Sequence, residues 1–115
     1  MSWDIVIMKF PRPYSSPDDV PDDEPGLPLG SRDEVHAKVS AIFEDTDWGD
    51  PVWGVWERGS DSIEFNLGED DPVGDLMLHV RAGEAVVPLI VALCRDNGLQ
   101  GIDCRTGAFV ERSLC

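Results

Sequence analysis

Positive charge is scarce in this chain. Its 115 residues include nine lysines and arginines against 23 aspartates and glutamates, which gives a formal net charge of −14. A surface of this kind repels nucleic acid and anionic membranes, and it speeds encounter with a basic protein. We therefore expect neither nucleic acid nor a membrane as partner, and we predict that the partner is a basic protein.

Cysteines and long apolar runs are also scarce. Cys94, Cys104 and Cys115 form an odd set without CxxC spacing, so neither a disulfide framework nor a zinc site is predicted. The longest apolar run, residues 85–94, is half the length that spans a bilayer. The first ten residues contain no basic segment ahead of an apolar one, so we expect a cytoplasmic protein.

Known catalytic motifs are missing from the sequence. It contains no serine elbow, P-loop, GxGxxG, HExxH or paired CxxC. We predict no cofactor and favour a non-enzymatic protein, although a lone histidine near a glutamate keeps a small enzyme open as an alternative.

What the chain does have is enough apolar residues for one core and two acidic stretches. Hydrophobic residues make up 42% of the sequence, as expected for a single domain covering residues 1–115. Residues 18–24 hold five acids, and residues 44–75 hold eleven acids against the single base Arg58. The simpler alternative to a binding role is that these acids are solvated loop residues.

The hydrophobic pattern predicts an α+β fold. A strand at residues 2–10 precedes a Pro-rich acidic loop at 11–30, and "SRDE" at 31–34 forms a capping box that begins a helix. Residues 52–82 alternate with period two in three segments, and 84–97 read as a second helix with a start distorted by Pro88. A final strand follows at residues 99–105, with a further strand after the Thr106–Gly107 turn left open.

These elements combine into a two-layer sandwich. We predict a mostly antiparallel sheet of about five strands in the order β-α-β-β-β-α-β, with two helices on one face. The other sheet face is only half polar, so it is either open to a partner, covered by the Pro-rich segment, or paired with a second copy in a homodimer.

The stretch "DTDWGDPVWGVWERG" at 45–59 holds three of the four tryptophans among clustered carboxylates. It is most simply a helix-to-strand turn followed by a strand. Its acids resemble the start of a calcium loop, but the position of the bidentate glutamate is occupied by Trp56, so we assign no metal ligands. Trp53 and Trp56 have opposite parity on a strand, so at least one of them is buried.

Two candidate sites follow from this pattern. The first is a partner-binding surface of carboxylates and exposed indoles, formed by Asp45, Asp47, Trp48, Asp50, Trp56, Asp70 and Asp71. The second is a ligand site on the half-polar sheet face, formed by Glu64, His79 and Arg81. This second site supports the alternative function, a domain that binds a small ligand or a divalent metal, or a small enzyme.

The segments "MSWDIVIMKFP", "PLGSRDEV", "DTDWGDPVWG", "EDDPV" and "LHVRAG" resemble those of a group of small acidic bacterial proteins of unassigned function. In size, acidity and lack of enzyme motifs, that group is similar to immunity proteins, small cytosolic domains that neutralise a toxin. The resemblance implies a protein-binding role and brings no catalytic residues with it.

Overall fold

The computed structural model describes residues 3–11, 14, 19–21, 26–107 and 109–110. Parts of the predicted Pro-rich loop and of the last predicted strand, together with Cys115, lie outside these residues. Two helices and six strands are present in the described part: β1 Trp3–Met8, α1 Arg32–Ile42, β2 Asp47–Asp50, β3 Trp53–Arg58, β4 Asp61–Asn66, β5 Leu76–Arg81, α2 Val87–Asp96 and β6 Gln100–Asp103.

The strands form one antiparallel sheet in the order β2-β3-β4-β5-β1-β6. The predicted α+β class is confirmed, but the described part of the sheet has six strands rather than about five, so the predicted order of elements is not confirmed. The additional strand is β2, which lies inside the segment assigned to a turn. Asp47 pairs with Val55 and Asp50 with Trp53 through an irregular register, so this short edge strand lacks the alternation that marks the others.

One face of the sheet carries the core. In β1, β4 and β5 every second residue is buried, and residues such as Ile5, Phe65 and Leu78 are fully enclosed. Buried residues of both helices, including Val39 and Ile90, join the same hydrophobic cluster. Both helices therefore pack on this face, which we call the core face, and no helix of the described residues covers the other.

The ends of the helices follow the local sequence. The predicted capping box is present: Ser31 N–H donates to Glu34 Oε1 at 2.9 Å, and Glu34 N–H donates to Ser31 Oγ at 3.1 Å. The second helix begins as a 3-10 turn at Glu84–Val86, with Pro88 in the first turn of α2, as the proline predicts. It ends before Gly98, whose φ of 65° suits glycine.

Two long-range contacts hold described parts of the Pro-rich segment and the chain end to the sheet. The Gln100 side-chain amide forms two hydrogen bonds with the backbone of Tyr14, accepting from its N–H at 3.1 Å and donating to its C=O at 2.8 Å. Phe109 forms an isolated antiparallel bridge with Ile102 on the outer edge of β6. The segment after the Thr106–Gly107 turn thus returns to the sheet, but only as a bridge within the described residues.

Candidate functional site

The carboxylates of the predicted partner-binding surface do not form one cluster. Asp71 accepts a hydrogen bond from Arg32 N–H at 3.1 Å and so lies at the start of α1. Asp45 follows the other end of this 11-residue helix, so the two are separated by about 16 Å along its axis. Electrostatic attraction from these acids is therefore spread over the domain.

Several of these acids have structural contacts. Asp47 Oδ1 accepts from Gly49 N–H at 2.9 Å, and Asp50 Oδ1 accepts from Val52 N–H at 3.0 Å. Such bonds stabilise tight bends, here one within the irregular strand β2 and one directly after it. Asp45 adopts a positive φ of 66° at the bend after α1. All of them, like Asp70, are exposed, so their charge still acts on solvent.

Of the two indoles of the predicted surface, Trp56 is buried, which corrects the sequence-based site, and Trp48 is half-buried. Trp56 is 2% exposed and its ring packs edge-on against Phe43 at 5.2 Å. Trp48 packs on the core face over Gly54, where an added Cβ would lie 2.6 Å from its ring. The residues on α1 that hold Trp48 are His36 and Ser40.

Both of these α1 residues are half-buried at the edge of the sheet. The His36 ring stacks on Trp48 with 4.0 Å between centroids. His36 Nε2 donates to Pro51 C=O at 2.6 Å, since a carbonyl can only accept. Trp48 Nε1 donates to Ser40 Oγ at 3.1 Å. Trp48 therefore joins α1 to β2 and β3 as part of the packing.

The remaining indole of the stretch, Trp53, lies half-buried on the sheet face opposite the core. We call this the open face. The paired registers align its side chains in two adjacent rows across the strands. The first row, which we call the apolar row, is apolar except for one asparagine and consists of Trp53, Asn66, Met77, Val6 and Ile102. The second, which we call the charged row, is polar or charged except for one valine and consists of Val55, Glu64, His79 and Asp4. Asp50 and Asp47 begin the two rows at the β2 edge.

The three residues of the predicted ligand site do lie together in the structure. Glu64 and His79 are direct cross-strand partners on β4 and β5. Arg81 Nη1 lies 3.7 Å from Glu64 Oε1, a loose ion pair whose side chains are 64% and 30% exposed. Exposed pairs of this geometry contribute about 0–1 kcal/mol, so Glu64 can exchange this partner for another cation.

Asp4 belongs to this site and was missed by sequence reasoning. Its Oδ1 lies 2.9 Å from His79 Nδ1 across the β1–β5 ladder. Because a carboxylate only accepts, Nδ1 carries the proton and the neutral imidazole keeps its lone pair on Nε2. The pairing joins residues 75 positions apart, so no local spacing signals it.

Trp53 and His79 meet above the strand between them. Their rings are nearly parallel, with 5.8 Å between centroids and 22° between planes. Their strands, β3 and β5, are both neighbours of β4 and lie about 10 Å apart. The ring pair therefore lies over β4, beside Glu64 and Asn66, whose cross-strand partners are His79 and Trp53 respectively.

Metal and thiol chemistry receive little support from the described residues. No three of their His, Cys, Asp and Glu side chains form a group that could hold a metal ion.

Of the two described cysteines, Cys94 is buried. Burial, and after it the negative charges of Asp4 and Asp103, raise the pKa of the Cys104 thiol above its usual value. A raised pKa lowers the thiolate fraction, which makes Cys104 a poor nucleophile at neutral pH.

Comparison of the chain with known protein families, with curated proteins and with solved structures finds no match. Within the described part of the chain, neither helix has the length and apolar composition needed to cross a membrane.

Proposed function

We propose that the protein is a non-enzymatic binding domain that takes a basic protein partner on its open face. The observation that carries the proposal is the apolar row lying beside the charged row on a sheet face that neither helix covers. An apolar centre with charged residues at its border is the usual composition of a protein interface.

The charge of the open face selects the kind of partner. Asp4, Asp47, Asp50, Glu57 and Glu64 lie on it with Arg81, and five carboxylates against one guanidinium give −4 with His79 neutral. Two copies meeting through this face would bring like charges together, which disfavours the homodimer. A basic partner gains from the same charges, both in encounter rate and in orientation.

The remaining surface strengthens this preference without adding contacts. The acids at both ends of α1 share the sign of the open face, and the whole chain carries −14. Their field extends over about one Debye length, roughly 8–10 Å at physiological salt. We therefore expect association to be fast at low ionic strength and to slow steeply as salt is added.

The resemblance to small acidic bacterial proteins agrees with this proposal. An immunity-like protein would neutralise a basic toxin in the cytosol by covering its functional surface. No enzyme motif is needed for that role, and the open face supplies an area for contact. The identity of the partner would follow from its capture.

A photo-crosslinking experiment tests the proposal. A benzophenone amino acid replaces Met77, at the centre of the open face, and in a control protein it replaces the exposed Ala41 on α1. In lysate of the source cell at low salt, we expect a covalent adduct with a basic protein from position 77 only. Adducts formed equally from both positions, or only with acidic proteins, contradict the proposal.

The Asp4–His79 pair favours a second candidate, a small-ligand site. A carboxylate that fixes the imidazole tautomer leaves Nε2 to accept a proton or to bind a ligand. Calorimetric titration with calcium, magnesium and simple sugars tests this candidate. A heat signal that His79→Asn abolishes would support ligand binding over protein binding.

A further inference from the structure

Among the described residues, arginines lie over two of the four tryptophan rings, and histidine imidazoles stack with the other two. The Arg58 guanidinium lies 5.2 Å from the Trp56 ring centroid, and that of Arg105 lies 5.3 Å from the Trp3 centroid. Trp48 stacks with His36 at 4.0 Å. The two arginine contacts match the attraction of a cation to the negative face of an aromatic ring.

Trp53 stacks with an imidazole, as Trp48 does, but it lies on the open face and its ring contact is looser. Among the described residues, no lysine or arginine lies over its ring, and its aromatic neighbour is His79 at 5.8 Å. Its ring is half-buried on the open face, with Asp50 as its cross-strand neighbour on β2. Within the described part of the chain, the ring therefore presents an aromatic surface next to carboxylates and has no cation of its own.

We propose that Trp53 receives an arginine side chain of the basic partner, with Glu64 as its carboxylate acceptor. The inference rests on the proposed function and names the chemistry at the centre of the interface. Glu64 lies across the ladder from His79, on the strand between those of Trp53 and His79. Its contact to Arg81 is only an ion pair of 3.7 Å, so a partner's guanidinium can replace it at hydrogen-bond distance.

Arginine fits this site better than lysine does. A guanidinium is planar and weakly hydrated, so it stacks on an indole while its N–H groups donate within the plane to a carboxylate. An ammonium is a strongly hydrated point charge and cannot make both contacts in one orientation. The cations that lie on Trp3 and Trp56 are both arginines, which is the same chemistry.

Peptide probes test the site without the unknown partner. A decapeptide of alternating glycine and arginine is titrated into the ¹⁵N-labelled protein at low salt, followed by the matching lysine and citrulline peptides. We expect the arginine peptide to shift the Trp53 indole N–H and the Glu64 amide. Its affinity should exceed that of the lysine peptide by about fivefold, and citrulline should produce no shift.

Variants separate a specific site from general attraction. Trp53→Ala should lower the affinity for the arginine peptide by about fivefold, and Trp53→Phe, which keeps a ring, should lower it by less. Glu64→Gln and Asp70→Asn each remove one negative charge, and Asp70 lies in the exposed loop that follows β4. We expect Glu64→Gln to lower the affinity for the arginine peptide clearly and Asp70→Asn to lower it only slightly.

The outcomes also distinguish this inference from the proposed function. Equal losses for Glu64→Gln and Asp70→Asn, or an unchanged Trp53 indole signal, would overturn the arginine site. If crosslinking at position 77 still captures a basic protein, the docking face stands without that site. If the arginine peptide binds at Trp53 while crosslinking captures nothing basic, the site stands and the docking of a protein does not.

Discussion

His79 Nδ1 lies 2.9 Å from Asp4 Oδ1, in a cross-strand pair that joins β5 to β1 on the open face. The contact determines which ring nitrogen carries the proton, and it links the first strand of the chain to the centre of the candidate site. The imidazole is held in turn near the Trp53 ring. The orientation of the His79 ring on this face therefore depends on Asp4, a residue outside the acidic stretches.

Replacing Asp4 by alanine should change the tautomer of His79. The carboxylate is the acceptor that selects protonation at Nδ1, and without it the share of the Nε2–H form should rise. Imidazole ¹⁵N shifts above the pH at which the ring is protonated measure the two forms. Since the Asp4 and His79 side chains are 43% and 29% exposed, stability should fall by no more than about 1 kcal/mol. An unchanged tautomer ratio contradicts the assigned hydrogen bond.

Gly54→Ala should destabilise the fold. The added methyl carbon would lie 2.6 Å from the Trp48 ring, which is also held by stacking with His36 at 4.0 Å. We expect unfolding free energy to fall by about 1–3 kcal/mol, as for other overpacked cores. Urea denaturation measures it. Gly74→Ala is the matched control, because a Cβ added there would meet no described atom within 4 Å, and it should cost much less.

The sequence predicted those parts of the fold that depend on local patterns. The Ser31–Glu34 capping box and the period-two alternation of β3 to β5 appear in the structure as expected. A helix cap needs only four consecutive residues, and alternation needs only one strand. Both can be recognised before the tertiary structure is known.

Features that depend on pairing between distant segments were missed or misassigned. The strand β2 is short and carries Asp47 and Asp50, which favour turns, so only its pairing with β3 reveals it. Trp48 is predicted to be an exposed anchor, yet in the structure its indole N–H donates to Ser40 Oγ on α1 and its ring is half-buried. Tertiary contacts outweigh local composition at these positions.

Arg105→Met should destabilise the turn after β6. Asp103 is fully buried, and its Oδ2 has no hydrogen-bond partner among the described residues, with the Arg105 guanidinium as the nearest cation at 3.6 Å. Removing that cation leaves Oδ2 of the buried carboxylate without a polar partner, while Oδ1 keeps its hydrogen bond from the Arg105 backbone N–H, and we expect a cost of about 1–3 kcal/mol. Thermal and urea unfolding measure the loss. Arg95→Met, at an exposed position on α2, should cost less, and equal losses would contradict a specific role for Arg105.

Stability should depend on pH through Glu34. Hydrogen bonds from the Ser31 backbone and then from its side chain lower the pKa of Glu34 below its ordinary value of 4.5. A lowered folded-state pKa stabilises the protein above the unfolded value, and this contribution is lost as pH falls through the folded one. Glu34→Gln keeps an oxygen acceptor without the charge. The stability difference between wild type and this variant should therefore be largest at pH 7 and shrink at acidic pH.

Cys104 should react slowly with alkylating agents even though it is exposed. Burial of the thiol, followed by the charges of Asp4 and Asp103, raises its pKa above the usual 9.0, so little thiolate forms at pH 8. Iodoacetamide labelling, followed by mass spectrometry in a Cys115→Ser background, should be slower for the folded protein than in urea.

Asp4→Asn removes one of the two charges and keeps the shape of the side chain, so it should speed labelling at Cys104. The buried Cys94 should stay unlabelled in both proteins, which separates an electrostatic effect from unfolding. A rate at Cys104 that does not respond to Asp4→Asn would assign its low reactivity to burial alone.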